Sequence, residues 1–312
     1  MNHLTSETLK DLFSPKEVIE IVKQGILKFA EGNYKVPERI HIKRGESTNL
    51  IMPAFGEQYY CTKLISVDPQ NHINNLPIIS GILVLNDGES GETLVTMDAP
   101  MVTALRTAAV GSIGLDLICD NISKLGIIGL GVQGFWQTIF AISMRKITEI
   151  YCYSRSEEKF ISYQDEVKKR FPNIKIKWCS HPEEVVQNAE VIIACTTSID
   201  PVFKTYGLDI QSKRFISVGS FSKHMQELPD KIYQSSDALI IDSESAKTEV
   251  GDVINAIANT WIEQKNIITL ADIISDTKSI THHGNLVFKS VGMAAFDLAY
   301  AIAAYEKYIE VI

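Results

Sequence analysis

The chain has 312 residues, 45% of them hydrophobic and 22% charged, with a formal net charge of −8. This is ordinary globular composition with length enough for two domains, and the acidic balance argues against nucleic acid as a general partner. The five cysteines (Cys61, Cys119, Cys152, Cys179, Cys195) are scattered without a C-x-x-C pair, so neither a disulfide framework nor a zinc site is indicated.

Residues 1–13 give a weak amphipathic start. Ser14-Pro15-Lys16-Glu17 is a capping box with proline at the first helical position. The helix it opens carries Val18, Ile21, Val22, Ile26 and Phe29 on one stripe, and Gly32 closes it. Between Pro37 and Asp98 the period changes to two. Strands are expected over 39–43, 49–52, 59–67 and 78–85, with a turn at 86–91 leading into 92–97. This pattern predicts an antiparallel meander forming a domain of its own. A helix over 101–118, carrying Arg106, bridges to a second domain.

The stretch from Lys124 to Arg155 is the most informative. An apolar run at 125–128 meets Gly129, Gly131 and Gly134 in G-x-G-x-x-G spacing, then a helical pattern, then a second apolar run at 150–153. Gly129 permits the tight turn, Gly131 lets backbone approach a pyrophosphate, and Gly134 allows close helix–strand packing. The pyrophosphate is expected on Gly131, Val132 and Gln133, at a helix N-terminus. The second strand ends Tyr153-Ser154-Arg155-Ser156 with no carboxylate before Glu157. An acidic residue there would select the ribose 2′-hydroxyl of NADH; Arg155 between two hydroxyls favours the 2′-phosphate of NADPH.

Alternation continues with a helix over 157–170 and strands over 174–178, 191–194, 215–218 and 238–241. The fold class is therefore α/β, a Rossmann doubly wound parallel sheet, with ligand at the strands' carboxyl ends. Thr196 and Thr197, just past the 191–194 strand, join the cofactor contacts. A helix is expected over 267–274, and a long alanine-rich helix over 286–311 that returns to the first domain. The domains are then 1–115 with 285–312, and 116–284. His282-His283 lacks a third ligand at recognisable spacing, so it reads as a polar loop and no metal is expected. Neither a signal peptide nor an apolar stretch of membrane length is legible, so no membrane partner and a reducing cytoplasm are expected.

Several segments together resemble the ornithine cyclodeaminase/mu-crystallin family along nearly the full chain. They are Leu50-Ile51-Met52-Pro53-Ala54, Lys63 within Tyr60-Cys61-Thr62-Lys63-Leu64, and Leu76-Pro77 before Gly81. Leu105-Arg106-Thr107-Ala108-Ala109, the glycine turn, and Phe288-Lys289-Ser290-Val291-Gly292 leading into Asp297-Leu298 complete the set. The resemblance implies a Rossmann domain plus a discontinuous α/β substrate and dimerisation domain, a homodimer joined through that domain, and a substrate pocket between the two domains. It implies three cations for a substrate carboxylate, falling here on Arg39, Lys63 and Arg106, with Lys43 and Arg44 as neighbouring alternatives to Arg39. A lone arginine or lysine is more often a solvated surface cation; only the motif converts these. The resemblance also implies Ser290 beside the nicotinamide.

Cyclodeaminases of the family carry an aspartate just past the strand ending at Gly219, in a Gly-Gly-Asp or Gly-Ala-Asp pattern. Here the segment reads Gly219-Ser220-Phe221-Ser222-Lys223-His224-Met225-Gln226-Glu227-Leu228, which sets Phe221 at the aspartate's place. A phenyl ring accepts no proton and orients no amine, so ornithine cyclodeamination and amino-acid dehydrogenation are disfavoured. The segment resembles the branch that reduces cyclic ketimines, small anionic imino acids such as Δ1-pyrroline-2-carboxylate or Δ1-piperideine-2-carboxylate. Phe221 and Met225 would shape the ring pocket, with His224 in the same loop. Lys63 and Arg106 would carry the chemistry. The imine proton would come from Lys63, or the substrate would arrive as the iminium. A non-catalytic nucleotide- and ligand-binding protein of mu-crystallin type is the alternative from another class.

Overall fold

The computed structural model describes residues 2–74, 76–279 and 285–311. The chain forms two compact units, Met1–Arg106 with Met293–Ile312, and Thr107–Gly292. In the first, β1 (Asn2–Leu4) and α1 (Ser6–Leu12) precede α2 (Pro15–Ala30). The capping box of α2 is formed: Ser14 Oγ accepts the Glu17 N–H, and the Glu17 carboxylate accepts the Ser14 N–H at 2.7 Å. Strands β2 (Ile40–Arg44), β3 (Ser47–Phe55), β4 (Tyr59–Val67), β5 (Ile79–Asp87) and β6 (Thr93–Asp98) come next. The sheet order is β1-β6-β5-β4-β3-β2. It is an antiparallel meander except at one edge, where β1 pairs parallel to β6. That edge corrects the expected purely antiparallel sheet; three residues are too few to show a period.

Burial alternates along the meander as its period demands. Leu50, Met52 and Ala54 of β3, Cys61, Lys63 and Ile65 of β4, and Leu83 and Leu85 of β5 are buried on one face. Ile40 pairs with Ile51, and Ile51 with Leu64, on the other face, where Ile40 is 53% and Leu64 41% exposed.

Helix α3 (Ala99–Ile118) runs through the unit boundary at Arg106. Contrary to the sequence expectation, its 20 residues are long and apolar enough to cross a membrane, but 78% of its apolar window is buried inside the protein. That burial marks it as a core helix.

The second unit opens with β7 (Lys124–Ile128), α4 (Val132–Met144), β8 (Glu149–Tyr153), α5 (Glu157–Arg170) and β9 (Lys175–Trp178). It continues with α6 (Pro182–Asn188), β10 (Val191–Ala194), β11 (Arg214–Ser217), α7 (Asp230–Gln234) and β12 (Ala238–Ile241). Helices α8 (Ala246–Glu249) and α9 (Gly251–Ala258), strand β13 (Ile267–Thr269), helix α10 (Leu270–Ile274) and strand β14 (Leu286–Lys289) complete it. The eight strands are all parallel, in the order β13-β12-β14-β11-β10-β7-β8-β9. Chain order reverses between β7 and β10, which opens the ligand crevice of a doubly wound sheet at their carboxyl ends.

Two expected helices are corrected here. Residues 267–274 split into β13 and α10, because Thr269 caps a new helix through a capping box with Asp272. Residues 286–289 are a fully buried strand between β11 and β12. A four-residue apolar run on its own does not distinguish a buried strand from a helix. Gly292, at φ +86°, ends the segment before α11 (Ala294–Val311) begins in the first unit. The expected boundaries at 115/116 and 284/285 therefore move: β14 carries 285–292 into the Rossmann unit, and α3 is divided after Arg106. His282 and His283 lie outside the described residues.

Candidate active site

The glycine turn between β7 and α4 has the shape a pyrophosphate requires. Gly129 sits at φ +100°, and a Cβ there would lie 2.7 Å from the Cys195 carbonyl oxygen. A Cβ on Gly134 would lie 2.0 Å from the Gly129 carbonyl oxygen, so helix and strand pack through that contact. At Gly131 a Cβ would meet nothing within 4 Å. Gly131 caps α4 without a side-chain hydrogen bond, so the helix begins at Val132 and Gln133 with its N-terminus uncovered by a capping side chain. Val132 is 65% exposed. A cradle of bare backbone at a helix N-terminus fits a dinucleotide pyrophosphate. Gly131→Ala should leave thermal stability unchanged and weaken NADH or NADPH binding by tenfold or more, about 1.4 kcal/mol, as measured by dinucleotide titration. Equal affinity in the variant would place the pyrophosphate elsewhere.

At the end of β8, Arg155 is exposed, while its neighbours serve the backbone. Ser154 Oγ accepts the Ser156 N–H, and Ser156 Oγ caps α5 by accepting the Lys159 N–H. Past β10, Thr197 is exposed, but Thr196 donates both its N–H and its hydroxyl to Glu227 Oε1. Ser290 Oγ donates to Asp242 Oδ2 at 2.8 Å, and that oxygen also takes the N–H groups of Val291 and Gly292. Among the expected cofactor residues, Thr196 and Ser290 thus spend their hydroxyls on buried carboxylates.

Sequence reasoning missed the polar network beneath the Phe221 loop. Lys289, at the end of β14, is fully buried and donates to Ser217 Oγ (3.0 Å), Ser220 O (2.9 Å) and Ser220 Oγ (2.7 Å). Glu227, also fully buried, accepts Ser217 Oγ (2.7 Å) and the N–H groups of Gly219 (2.8 Å) and Ser220. Asp252, on α9, accepts Ser220 Oγ, Tyr233 Oη and the N–H groups of Glu227 and Leu228. Two carboxylates and one ammonium pin both ends of the 219–228 segment. Between them Phe221 is half-buried, Met225 buried and His224 exposed. The available signal was a lysine inside the otherwise apolar run Leu286–Lys289.

The first unit holds the cations. Lys63 occupies the buried face of β4, opposite Met52 on one side and Leu83 on the other. Its Nζ lies 2.6 Å from Asp297 Oδ2, on the first turn of α11. Arg106 Nε donates to Asp297 Oδ1 at 2.9 Å. Thr103, one turn before Arg106 on α3, accepts from Lys63 Nζ at 3.3 Å. Lys63 and Asp297 are fully buried and Arg106 nearly so. Asp297 uses the Nε edge of Arg106, and no described residue bonds the two terminal nitrogens, which keep the paired geometry that grips a carboxylate. Of the three N–H bonds of Lys63, one is donated to Thr103, while its charge is paired with Asp297 at 2.6 Å.

Burial lowers the Lys63 pKa to about 8; the positive charges of Arg106 and Arg39 act the same way, while Asp297 opposes them. Burial would raise the Asp297 carboxyl, but Lys63 and Arg106 outweigh it and hold it below its ordinary value. Arg39 lies one residue before β2 rather than within a strand, and is half-buried. Its charge is felt at Lys63, whereas Lys43 and Arg44 are exposed on β2. Lys63, Arg106 and Asp297 sum to one positive charge, the complement of one substrate carboxylate. Among the described residues no group of three histidine, cysteine, aspartate or glutamate side chains could hold a metal ion.

A doubly wound parallel sheet with this glycine turn, joined in one chain to a buried pair of cations, defines a nicotinamide-dinucleotide-dependent oxidoreductase. The chain belongs to the ornithine cyclodeaminase/mu-crystallin family, whose sequence profile matches residues 2–311. It is 29% identical to a Δ1-pyrroline-2-carboxylate reductase of Bacillus cereus, over 98% of this chain and 96% of that protein. It is 27% identical to the ketimine reductase mu-crystallin of Rattus norvegicus, over 98% and 94%. Its structure is similar to that of the Thermococcus litoralis Δ1-pyrroline-2-carboxylate reductase in complex with NADH and L-proline, with a TM-score of 0.94 and 29% identity, covering 100% of this chain and 98% of the other.

Proposed function

We propose that this chain reduces a cyclic ketimine carboxylate, Δ1-pyrroline-2-carboxylate or Δ1-piperideine-2-carboxylate, to L-proline or L-pipecolate. The observation that carries this reading is the buried Lys63–Asp297–Arg106 constellation, which offers one net positive charge and a guanidinium whose paired terminal nitrogens no described residue bonds. Relatives named for this reaction cover nearly the whole chain. Arg106 takes the substrate carboxylate through those nitrogens, assisted by the remaining Lys63 N–H and by Arg39. The bound dinucleotide supplies a hydride to the imine carbon. The nitrogen gains one proton, and Lys63, an ammonium with a pKa of about 8, is the donor the chain offers when the imine arrives unprotonated. Phe221 and Met225 offer apolar groups, as a ring substrate requires and an amine does not.

NADPH is the proposed cofactor, on the strength of exposed Arg155 and the absence of a carboxylate at the end of β8. Initial rates with each imine, using NADPH and then NADH, test the reading alongside ammonia release from ornithine with NAD+. Imine-dependent oxidation, faster with NADPH and without ammonia from ornithine, is expected. Ammonia and proline from ornithine would show that a group other than Phe221 supplies the missing carboxylate.

The chain is proposed to work as a homodimer. On the face of the six-stranded sheet opposite the buried residues, Ile40, Ile42 and Leu64 are exposed beside Ile51 and Ile82. A contiguous apolar sheet face of this kind marks an association surface. Leu64→Glu should convert a dimer to a monomer in sedimentation analysis; an unchanged mass would move the interface elsewhere.

A further inference from the structure

Asp297 is the one charged group of the cation cluster that the proposed reaction does not use. It is fully buried, yet each of its oxygens meets a different cation, Oδ1 the Arg106 Nε at 2.9 Å and Oδ2 the Lys63 Nζ at 2.6 Å. The three side chains come from three elements, β4, α3 and α11. A guanidinium tied at Nε can rotate about that tie only at the cost of a buried charged hydrogen bond, so its terminal nitrogens are held in one plane.

We propose that Asp297 is a positioning residue for imine reduction: it orients Arg106 for the substrate carboxylate and keeps Lys63 an ammonium. The inference rests on the reading of this cluster as the imine-carboxylate site. The groups facing Lys63 act in opposite directions. Asp297 on α11 favours its charged form, while Arg106 on α3 and Arg39 before β2 disfavour it. Thr103 on α3 is a neutral acceptor. Cys61 on β4 stays a neutral thiol, its pKa raised by burial. Removing the Asp297 charge therefore leaves burial and two positive neighbours acting together, all in the direction of proton loss.

The test is the pH profile of Asp297→Asn. In the wild type, activity that needs the Lys63 ammonium falls as pH rises through about 8. In the variant this alkaline limb should move to lower pH by about one unit or more, the usual effect of one opposite charge at contact distance. The KM for the imine should rise about tenfold or more, because the charge-assisted tie of Arg106 is reduced at best to a bond with a neutral amide oxygen. Affinity for L-proline, which has no imine to titrate, should show the same displaced limb. Asp297→Glu keeps the charge and should restore the limb, though not the full rate. Should the asparagine variant fail to fold, Asp297→Ser, which removes the charge with a hydroxyl whose oxygen can still accept from a cation, carries the same test. Dinucleotide binding reports on folding throughout. An unmoved limb in an active, folded variant overturns the part assigned to Asp297. A wild-type protein that reduces neither imine overturns the functional reading itself.

Discussion

Arg106→Ala lowers kcat/KM for the cyclic imine about 1,000-fold while dinucleotide affinity stays unchanged. The size follows from what the side chain does. In the proposed role its terminal nitrogens grip the substrate carboxylate, while its Nε donates to one oxygen of buried Asp297. Truncating one partner of a buried hydrogen-bonded charge pair costs about 2–5 kcal/mol, and about 1.4 kcal/mol is tenfold in rate. Arg106→Lys should recover little, since an ammonium has no planar fork and cannot hold Asp297 and the carboxylate from opposite edges at once. Steady-state kinetics with each imine, beside a dinucleotide titration, separate the two effects. A variant that kept its KM for the imine would show that the carboxylate is bound elsewhere.

Lys289→Met destabilises the protein by about 3–5 kcal/mol, the cost of breaking a buried ion network by removing one partner. Among the described residues, its ammonium is the only cation in the bonds that link Glu227, Asp252, Ser217, Ser220 and Tyr233. Methionine fills similar volume, so loss of charge rather than loss of packing is measured. Ser220→Ala removes hydrogen bonds but no charge and should cost about 1–2 kcal/mol. Calorimetric unfolding of the two variants gives the comparison. Equal losses would mean that the network's charge balance contributes nothing beyond its hydrogen bonds.

The parts of this protein legible in sequence are those set by local rules. The capping box at Ser14, the period-two burial of β3 to β5, and the glycines at 129, 131 and 134 each depend on residues a few positions apart. Strand β14 is illegible for the converse reason: its assignment depends on β11 and β12 on either side, and four apolar residues have no period of their own. The carboxylate that organises the cations lies 191 positions from Arg106, a separation across which spacing carries no information. Even so, Lys63 leaves a trace. In the alternation Cys61, Lys63, Ile65 it occupies the buried face, where a lysine requires a partner. Lys289 gives the same signal inside an apolar run. The place of Phe221 in the family pattern rests on alignment at Glu227-Leu228, and the structure shows Glu227 to be the residue that holds the loop's base.

The most direct test of ketimine reduction tracks the hydride. With NADPH dideuterated at the nicotinamide C4 and Δ1-pyrroline-2-carboxylate as substrate, mass spectrometry of the product should find proline carrying a single deuterium at carbon 2. Proline without deuterium, or labelled NADPH left unconsumed in the presence of either imine, would contradict the assignment of this chain as a ketimine reductase.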